Sequence, residues 1–284
     1  MITVFQNGTN VEIVGIDNFV LSDTLDCGQA FRWEACGDGN WQGVAYGRYL
    51  KIGFEYGKLI LYNTDFTEFE TVWRSYFDLD RDYNYIISTL SSNNILKKAC
   101  EFGGGIKVLR QEPWECLCSF IISQNNNIPR IKGIINRLCE TFGDKISDGF
   151  YAFPSAERIA ELSLEELAPL RAGFRAKYIL DAARKVASGE IDLNRIAKMK
   201  TDAARSELTK IYGVGEKVAD CVLLFGMGHI DALPRDVWIK RVLSEMFEGD
   251  LPDLAKPYAG IAQQYLFHYA RMTKLDFQEN KNER

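Results

Sequence analysis

LTKIYGVGEKVADCV, residues Leu208 to Val222, is the stretch on which the reading of this chain turns. Apolar residues on either side of Gly213-Val214-Gly215 mark two helices meeting at a tight turn, whose glycines permit positive φ and leave no side chain between the backbone and a partner. The N–H groups in the first turn of the second helix then face outward without an intrahelical acceptor, backed by the positive end of the helix dipole. That geometry suits a phosphate, and main-chain donors can position a nucleic-acid backbone without many lysines. Taken alone, a Gly-x-Gly turn also fits any helix–turn–helix connection. Lys217 follows the turn, and 19 residues later Asp236 sits in ALPRDVWIKRVL, where Pro234 ends an extended stretch and Asp236 can cap the next helix.

Charge limits what such a grip can be. The 284 residues hold 34 basic against 39 acidic side chains, a net of −5, which excludes a protein that coats nucleic acid by bulk charge. Only two histidines are present, His229 and His268, so a multi-histidine metal site or a Ser-His-Asp triad has almost nothing to draw on. Seven cysteines, an odd number in a chain too long to need staples, read as reduced intracellular thiols rather than a disulfide framework. With 46% hydrophobic and 26% charged residues the composition is globular. The start, MITVFQNGTNVEIVG, lacks a secretory pattern and no run approaches a membrane span, so a soluble, cytoplasmic protein is expected, nucleoid-associated if bacterial.

The net charge is a sum over unlike parts: −7 over residues 1–90 and +2 over the rest. The acidic third carries short β-type runs (VEIVGI, AFRWEA, WQGVAYG, RYLKIGFE, KLILYN) separated by Gly, Asn and Asp, the texture of an antiparallel sheet. Phe66, Phe69, Val72, Trp73 and Tyr76 then recur at helical spacing behind a cap at Asp65, predicting a helix across one sheet face. Beyond Gly103-Gly104-Gly105 the pattern is helical, in WECLCSFIISQ, IPRIKGIINRLCETFG, LSLEELAPL, AKYILDAARKVASG and KVADCVLLFGMG, up to a polar tail QENKNER. An α+β chain follows, with a sheet domain over residues 1–100 and a helical domain over 101–284.

The spacing Leu208, Ile211, Gly213, Val214, Gly215, Ala219, Val222 matches the helix-hairpin-helix motif, and hairpin, lysine and capping aspartate together resemble the helix-hairpin-helix DNA glycosylases. CGQAFRW (Cys27–Trp33), CSFIISQNNNIPRI (Cys118–Ile131), GFRAKYI (Gly173–Ile179) and PYAGIAQQYLF (Pro257–Phe267) extend the match to the 8-oxoguanine DNA glycosylase branch over nearly the whole chain. The resemblance implies a TATA-binding-protein-like antiparallel domain followed by an all-α glycosylase domain. It implies a base-excision-repair glycosylase and AP lyase acting as a monomer on duplex DNA containing 8-oxoguanine, with no cofactor, no metal and no membrane partner.

By the same resemblance, Lys217 is the nucleophile, whose neutral amine attacks C1′ and forms a Schiff base that allows strand nicking by β-elimination. Asp236 is the aspartate that stabilises positive charge on the sugar, a role compatible with capping. The Gly28 carbonyl accepts from N7–H, the proton that 8-oxoguanine has and guanine lacks. Gln263 reads the Watson–Crick edge, while Phe267 and Cys221 sandwich the flipped base. Asn125 fills the vacated hole, Arg130 and Arg175 contact the orphaned base, and Phe174 wedges beside it. Gly213, Val214 and Gly215 hold the DNA backbone. From composition alone Lys217 is a solvated lysine, Phe267 a core side chain and the arginines surface charges; the flanking spacings single them out.

This chain has Trp238 where family members often have histidine, and Pro129 within the orphan-base loop. An iron–sulfur relative needs four clustered cysteines after the aspartate, but the last cysteine, Cys221, precedes it. An alkylbase glycosylase shares the hairpin and aspartate without the lysine. A non-catalytic hairpin module binds duplex in a salt-sensitive way and performs no chemistry.

Overall fold

The structure, a computed structural model, describes residues 2–273. The tail QENKNER lies outside the described residues. Six antiparallel strands, β1 (Thr3–Asn7), β2 (Asn10–Val14), β3 (Trp33–Ala35), β4 (Trp41–Ala45), β5 (Arg48–Glu55) and β6 (Lys58–Tyr62), form one sheet in the order β1-β2-β6-β5-β4-β3. Tyr46-Gly47 and Tyr56-Gly57 make the two-residue hairpin loops on either side of β5, all four residues at positive φ, the turn whose twist suits paired strands. Five strands lie in the five predicted runs. The sixth, β1, is an edge strand with mostly exposed side chains, so it carries no alternation to read.

The sheet's inner face, built from Val11, Ile13, Leu50, Ile52, Leu59 and Leu61, is covered by Phe69, Trp73, Tyr76 and Phe77. Asp65 caps this covering helix by accepting from the Glu68 N–H at 2.7 Å. Residues Phe69–Trp73 form a π turn, which shifts the buried face and leaves Phe66 48% exposed rather than packed.

A second core is made by helices, among them Pro113–Ser123, Ile128–Phe142, Arg175–Ala187, Thr201–Leu208, Glu216–Met227, Val237–Met246 and Ala259–Met272. CGQAFRW is the seam between the cores. Cys27 and Phe31 point into the helical core, whereas Ala30 and Trp33 point into the sheet core. Buried Gln29 stitches the seam: its Nε2 donates to the Thr24 and Lys107 carbonyls at 2.8 and 2.9 Å, and its Oε1 accepts from the Leu109 N–H at 3.0 Å. The loop that bears Gly28 is thereby held rigidly against the helices.

Two segments depart from the helical expectation. LSLEELAPL has leucines at helical spacing, yet Ser163 and Glu166 exchange hydrogen bonds in a single turn and only Ala168–Leu170 is helical, as a 3-10 turn. Arg171 follows at φ 55°, ending the segment, and Leu164 is left exposed. Lys145–Ser147 and Phe150–Tyr151 form a small hairpin around Asp148-Gly149, and Phe150 meets the Tyr49 ring of the sheet with centroids 4.5 Å apart. All seven cysteines are free thiols. No helix among the described residues is long and apolar enough to cross a membrane.

Candidate active site

The hairpin forms where predicted. Helix Thr201–Leu208 ends before it, Gly213 takes φ 81°, and Gly215 is the N-cap of Glu216–Met227 with no side chain capping that end. A Cβ on Gly213 would lie 2.4 Å from the Tyr178 ring, so both backbone conformation and packing demand glycine. Val214 is buried beneath the turn, and the Asp181 carboxylate accepts from the Tyr212 N–H at 2.7 Å.

In the first turn of this helix, Lys217 reaches a cavity of about 640 Å³ whose lining includes Gly28, Phe31, Phe120, Lys217, Cys221, Phe225, Asp236, Trp238, Gln263, Gln264 and Phe267. That volume is within the range of small-molecule sites and ample for one purine base. All six residues expected to do chemistry or read a base line this cavity, contributed by four separate segments of the chain. Gly28 does so at φ 88°, a conformation that favours glycine.

The cavity walls are apolar on the Lys217 side. Its Nζ lies 5.5 Å from the Phe120 ring centroid, and Phe120 stacks on Phe225 at 5.4 Å. Burial pushes the Cys221 thiol up to about 11, against the opposing pull of the Lys217 amine. Cys221 is therefore a neutral thiol at physiological pH and a wall rather than a rival nucleophile. Lys217 also borders a second recess of about 790 Å³, whose lining is charged and includes Gly215, Glu216, Asp220, Arg235 and Lys240.

Asp236 caps helix Val237–Met246, accepting from the Ile239 N–H at 2.7 Å, with its backbone extended. The cap points its carboxylate into the same cavity wall as Trp238 and Ile239. Gln263 and Phe267 lie four residues apart on helix Ala259–Met272 and share a face, as their spacing predicts.

The residues expected to meet the orphaned base do not line this cavity; they gather at a separate rim. Asn125 is exposed at φ 47°, Arg130 is exposed, and Phe174 is half-exposed with its ring 4.4 Å from the Arg175 guanidinium. Pro129 sits in the first turn of Ile128–Phe142, where no N–H is needed, and Asn127 caps that helix through the Arg130 N–H at 3.0 Å.

Arg175 differs from the expected exposed donor. It is 2% exposed, and its guanidinium donates to the carbonyls of Gln124, Asn125 and Ala172. Burial, and secondarily the charge of nearby Arg130, pulls its pKa below the usual guanidinium value. Its evident work is to hold the Asn125 loop in shape. Arg175→Ala leaves several carbonyls short of donors and is expected to cost about 2–3 kcal/mol of unfolding free energy. Denaturant titration checks this, and a loss below about 0.5 kcal/mol would show that the loop holds itself.

Sequence reasoning did not single out Gln264, Phe31 or Phe120. Phe31 and Phe120 stand inside quoted signature segments, but an aromatic there reads as core. Gln264 gave no signal beyond its place beside Gln263.

Residues 13–117 match the profile of the 8-oxoguanine DNA glycosylase N-terminal domain, and residues 118–253 that of the HhH-GPD superfamily of base excision DNA repair proteins. The N-glycosylase/DNA lyase of Saccharomyces cerevisiae is 33% identical over 265 residues, covering 80% of this chain and 68% of that one. The structure of MBOgg1 in complex with a low affinity DNA ligand superposes with a TM-score of 0.91 at 44% identity, covering 96% of this chain and 99% of the other. The Clostridium acetobutylicum 8-oxoguanine glycosylase/lyase, bound to duplex DNA containing cytosine opposite 8-oxoG, gives 0.90 at 38% identity over 96% and 99%.

Proposed function

Since the chain belongs to the 8-oxoguanine DNA glycosylase family of the HhH-GPD base-excision repair proteins, we propose that it excises 8-oxoguanine from duplex DNA through Lys217 and then nicks the strand. The observation that carries this reading is the convergence of Gly28, Lys217, Cys221, Asp236, Gln263 and Phe267 on one cavity of base size.

In this reading the flipped nucleotide places its base between Cys221 and Phe267. The Gly28 carbonyl accepts from N7–H, and Gln263 meets the Watson–Crick edge. As the C1′–N9 bond breaks, its electron pair leaves with the base, and positive charge on the sugar is met by the Asp236 carboxylate. The Lys217 nitrogen bonds to C1′ through its lone pair and gives up a proton; the C1′–O4′ bond then breaks with O4′ taking a proton, leaving the protonated Schiff base, which acidifies C2′–H. Loss of that proton expels the 3′ phosphate and nicks the strand. The N–H groups after Gly215 suit the DNA backbone. At the rim, Asn125 fills the hole, Arg130 contacts the orphaned base, Phe174 wedges the step, and Arg175 serves both by holding the loop.

The test is borohydride reduction during reaction with a duplex bearing one 8-oxoguanine opposite cytosine. A covalent protein–DNA adduct and a nicked strand are expected. Salt-sensitive duplex binding with neither product would leave a non-catalytic hairpin module in its place.

A further inference from the structure

A row of aromatic rings joins the hairpin to the rim. Phe174 meets Tyr178 with centroids 5.7 Å apart, and Tyr178 meets Tyr212 at 5.0 Å. Tyr212 immediately precedes Gly213 and is 55% exposed, while Tyr178 is the ring on which Gly213 packs. The row therefore runs without a break between the two places where the proposed function puts duplex DNA, the turn at Gly213–Gly215 and the rim at Phe174.

Lys177 is held over this row. Its Nζ lies 5.5 Å from the Tyr178 centroid and 5.3 Å from that of Tyr212, so one ammonium faces both rings. Rings orient a cation but leave its N–H donors unused, and among the described residues this Nζ has neither a hydrogen bond nor an ion pair. The usual helical partner, Asp181 four residues on, is already committed: it pairs with Lys185 at 3.2 Å and accepts from the Tyr212 N–H at 2.7 Å. Lys177 also stands in the first turn of helix Arg175–Ala187, where the helix dipole disfavours a cation. Neither ion pairing nor helix energetics asks for a lysine here. An exposed ammonium with unused donors, fixed by two rings beside the hairpin, suits an anion carried by the same ligand.

We propose that Lys177 grips a backbone phosphate of duplex DNA between the hairpin and the rim, with Tyr178 and Tyr212 holding its ammonium in place. The inference rests on the reading in which hairpin and rim both meet the duplex. A loose surface lysine must give up rotamer freedom to hold one phosphate, and the rings remove part of that loss in advance. Because a phosphate carries no information about the base, the contact adds affinity for damaged and undamaged duplex alike.

The experiment measures duplex binding by fluorescence anisotropy over a series of salt concentrations for the parent, Lys177→Gln and Lys177→Arg. One duplex is undamaged; the other bears one 8-oxoguanine opposite cytosine and is measured on the Lys217→Gln background, where it stays uncut. Lys177→Gln is expected to weaken both duplexes alike, by roughly three- to tenfold at about 50 mM salt, and to make the slope of log K against log salt shallower by about 0.9, the share of one phosphate. Lys177→Arg is expected to keep the parent's slope, and both variants to melt like the parent, since Nζ bonds no group of the fold. Unchanged affinity and slope in Lys177→Gln, a loss of affinity with the slope unaltered, or a loss confined to the damaged duplex overturns the role given to Lys177. Lys177→Met, which also keeps the aliphatic stem, carries the same test if the glutamine variant misfolds. A parent protein that binds neither duplex overturns the reading of the hairpin and rim instead, a failure visible before any variant is compared.

Discussion

Lys217→Gln is expected to bind duplex DNA like its parent, to form no borohydride-trapped adduct, and to lose excision by on the order of 10³-fold or more. Glutamine keeps the aliphatic stem but ends in an amide whose nitrogen lone pair is delocalised, so it cannot attack C1′. The substitution leaves the fold in place because Val218, Ala219 and Val222, which anchor this helix, are untouched and buried. Lys217→Arg is expected to fail equally, since a guanidinium keeps its proton at any working pH. Cys221→Ser separates the neighbours: its thiol is held neutral by burial, so the serine variant should still be trapped. An adduct that persisted in Lys217→Gln would place the nucleophile elsewhere and sink the assignment.

What the chain disclosed in advance follows the range over which its residues act. Strands β2 to β6 were legible because burial on one face writes an alternation into a few consecutive residues, and Tyr-Gly pairs punctuate it. Strand β1 was not, because an exposed edge imposes no pattern. LSLEELAPL misled in the opposite direction: Leu162, Leu167 and Leu170 are buried as a helix face would bury them, but through a turn and a 3-10 segment rather than one helix. The Asp148-Gly149 hairpin did carry a local turn signal, lost among helical neighbours.

The site divides along the same line. The hairpin and the Asp236 cap are local devices, set by glycine conformation and by a side chain reaching three residues ahead, and both were readable. The meeting of Gly28 with Gln263 is not local. It depends on Gln29 fastening the seam between two cores and on helix Ala259–Met272 packing behind the cavity, and only the resemblance of motifs pointed to it. Arg175 shows the limit of a motif: its position was marked, but whether a guanidinium faces DNA or the carbonyls of its own loop is decided by three-dimensional packing.

Asp236 caps its helix, and the proposed function gives it a second role that one substitution can separate from the first. As an N-cap it accepts from the Ile239 N–H, and Asn is about as good a cap as Asp, so Asp236→Asn should change unfolding free energy by less than about 0.5 kcal/mol. In the proposed mechanism its carboxylate faces the sugar where positive charge develops, and Asn has no charge to offer there. Loss of one preorganised electrostatic partner of this kind costs about 10²–10³-fold in rate. The Asn variant is therefore expected to melt like its parent while excising 8-oxoguanine on the order of 10²–10³-fold more slowly. Asp236→Ala is expected to lose both, adding about 1 kcal/mol of destabilisation from the missing cap. The comparison is read from single-turnover excision rates set beside denaturant midpoints. If Asn restored both stability and rate relative to Ala, the cap alone would account for Asp236 and the charge would have no part in the chemistry.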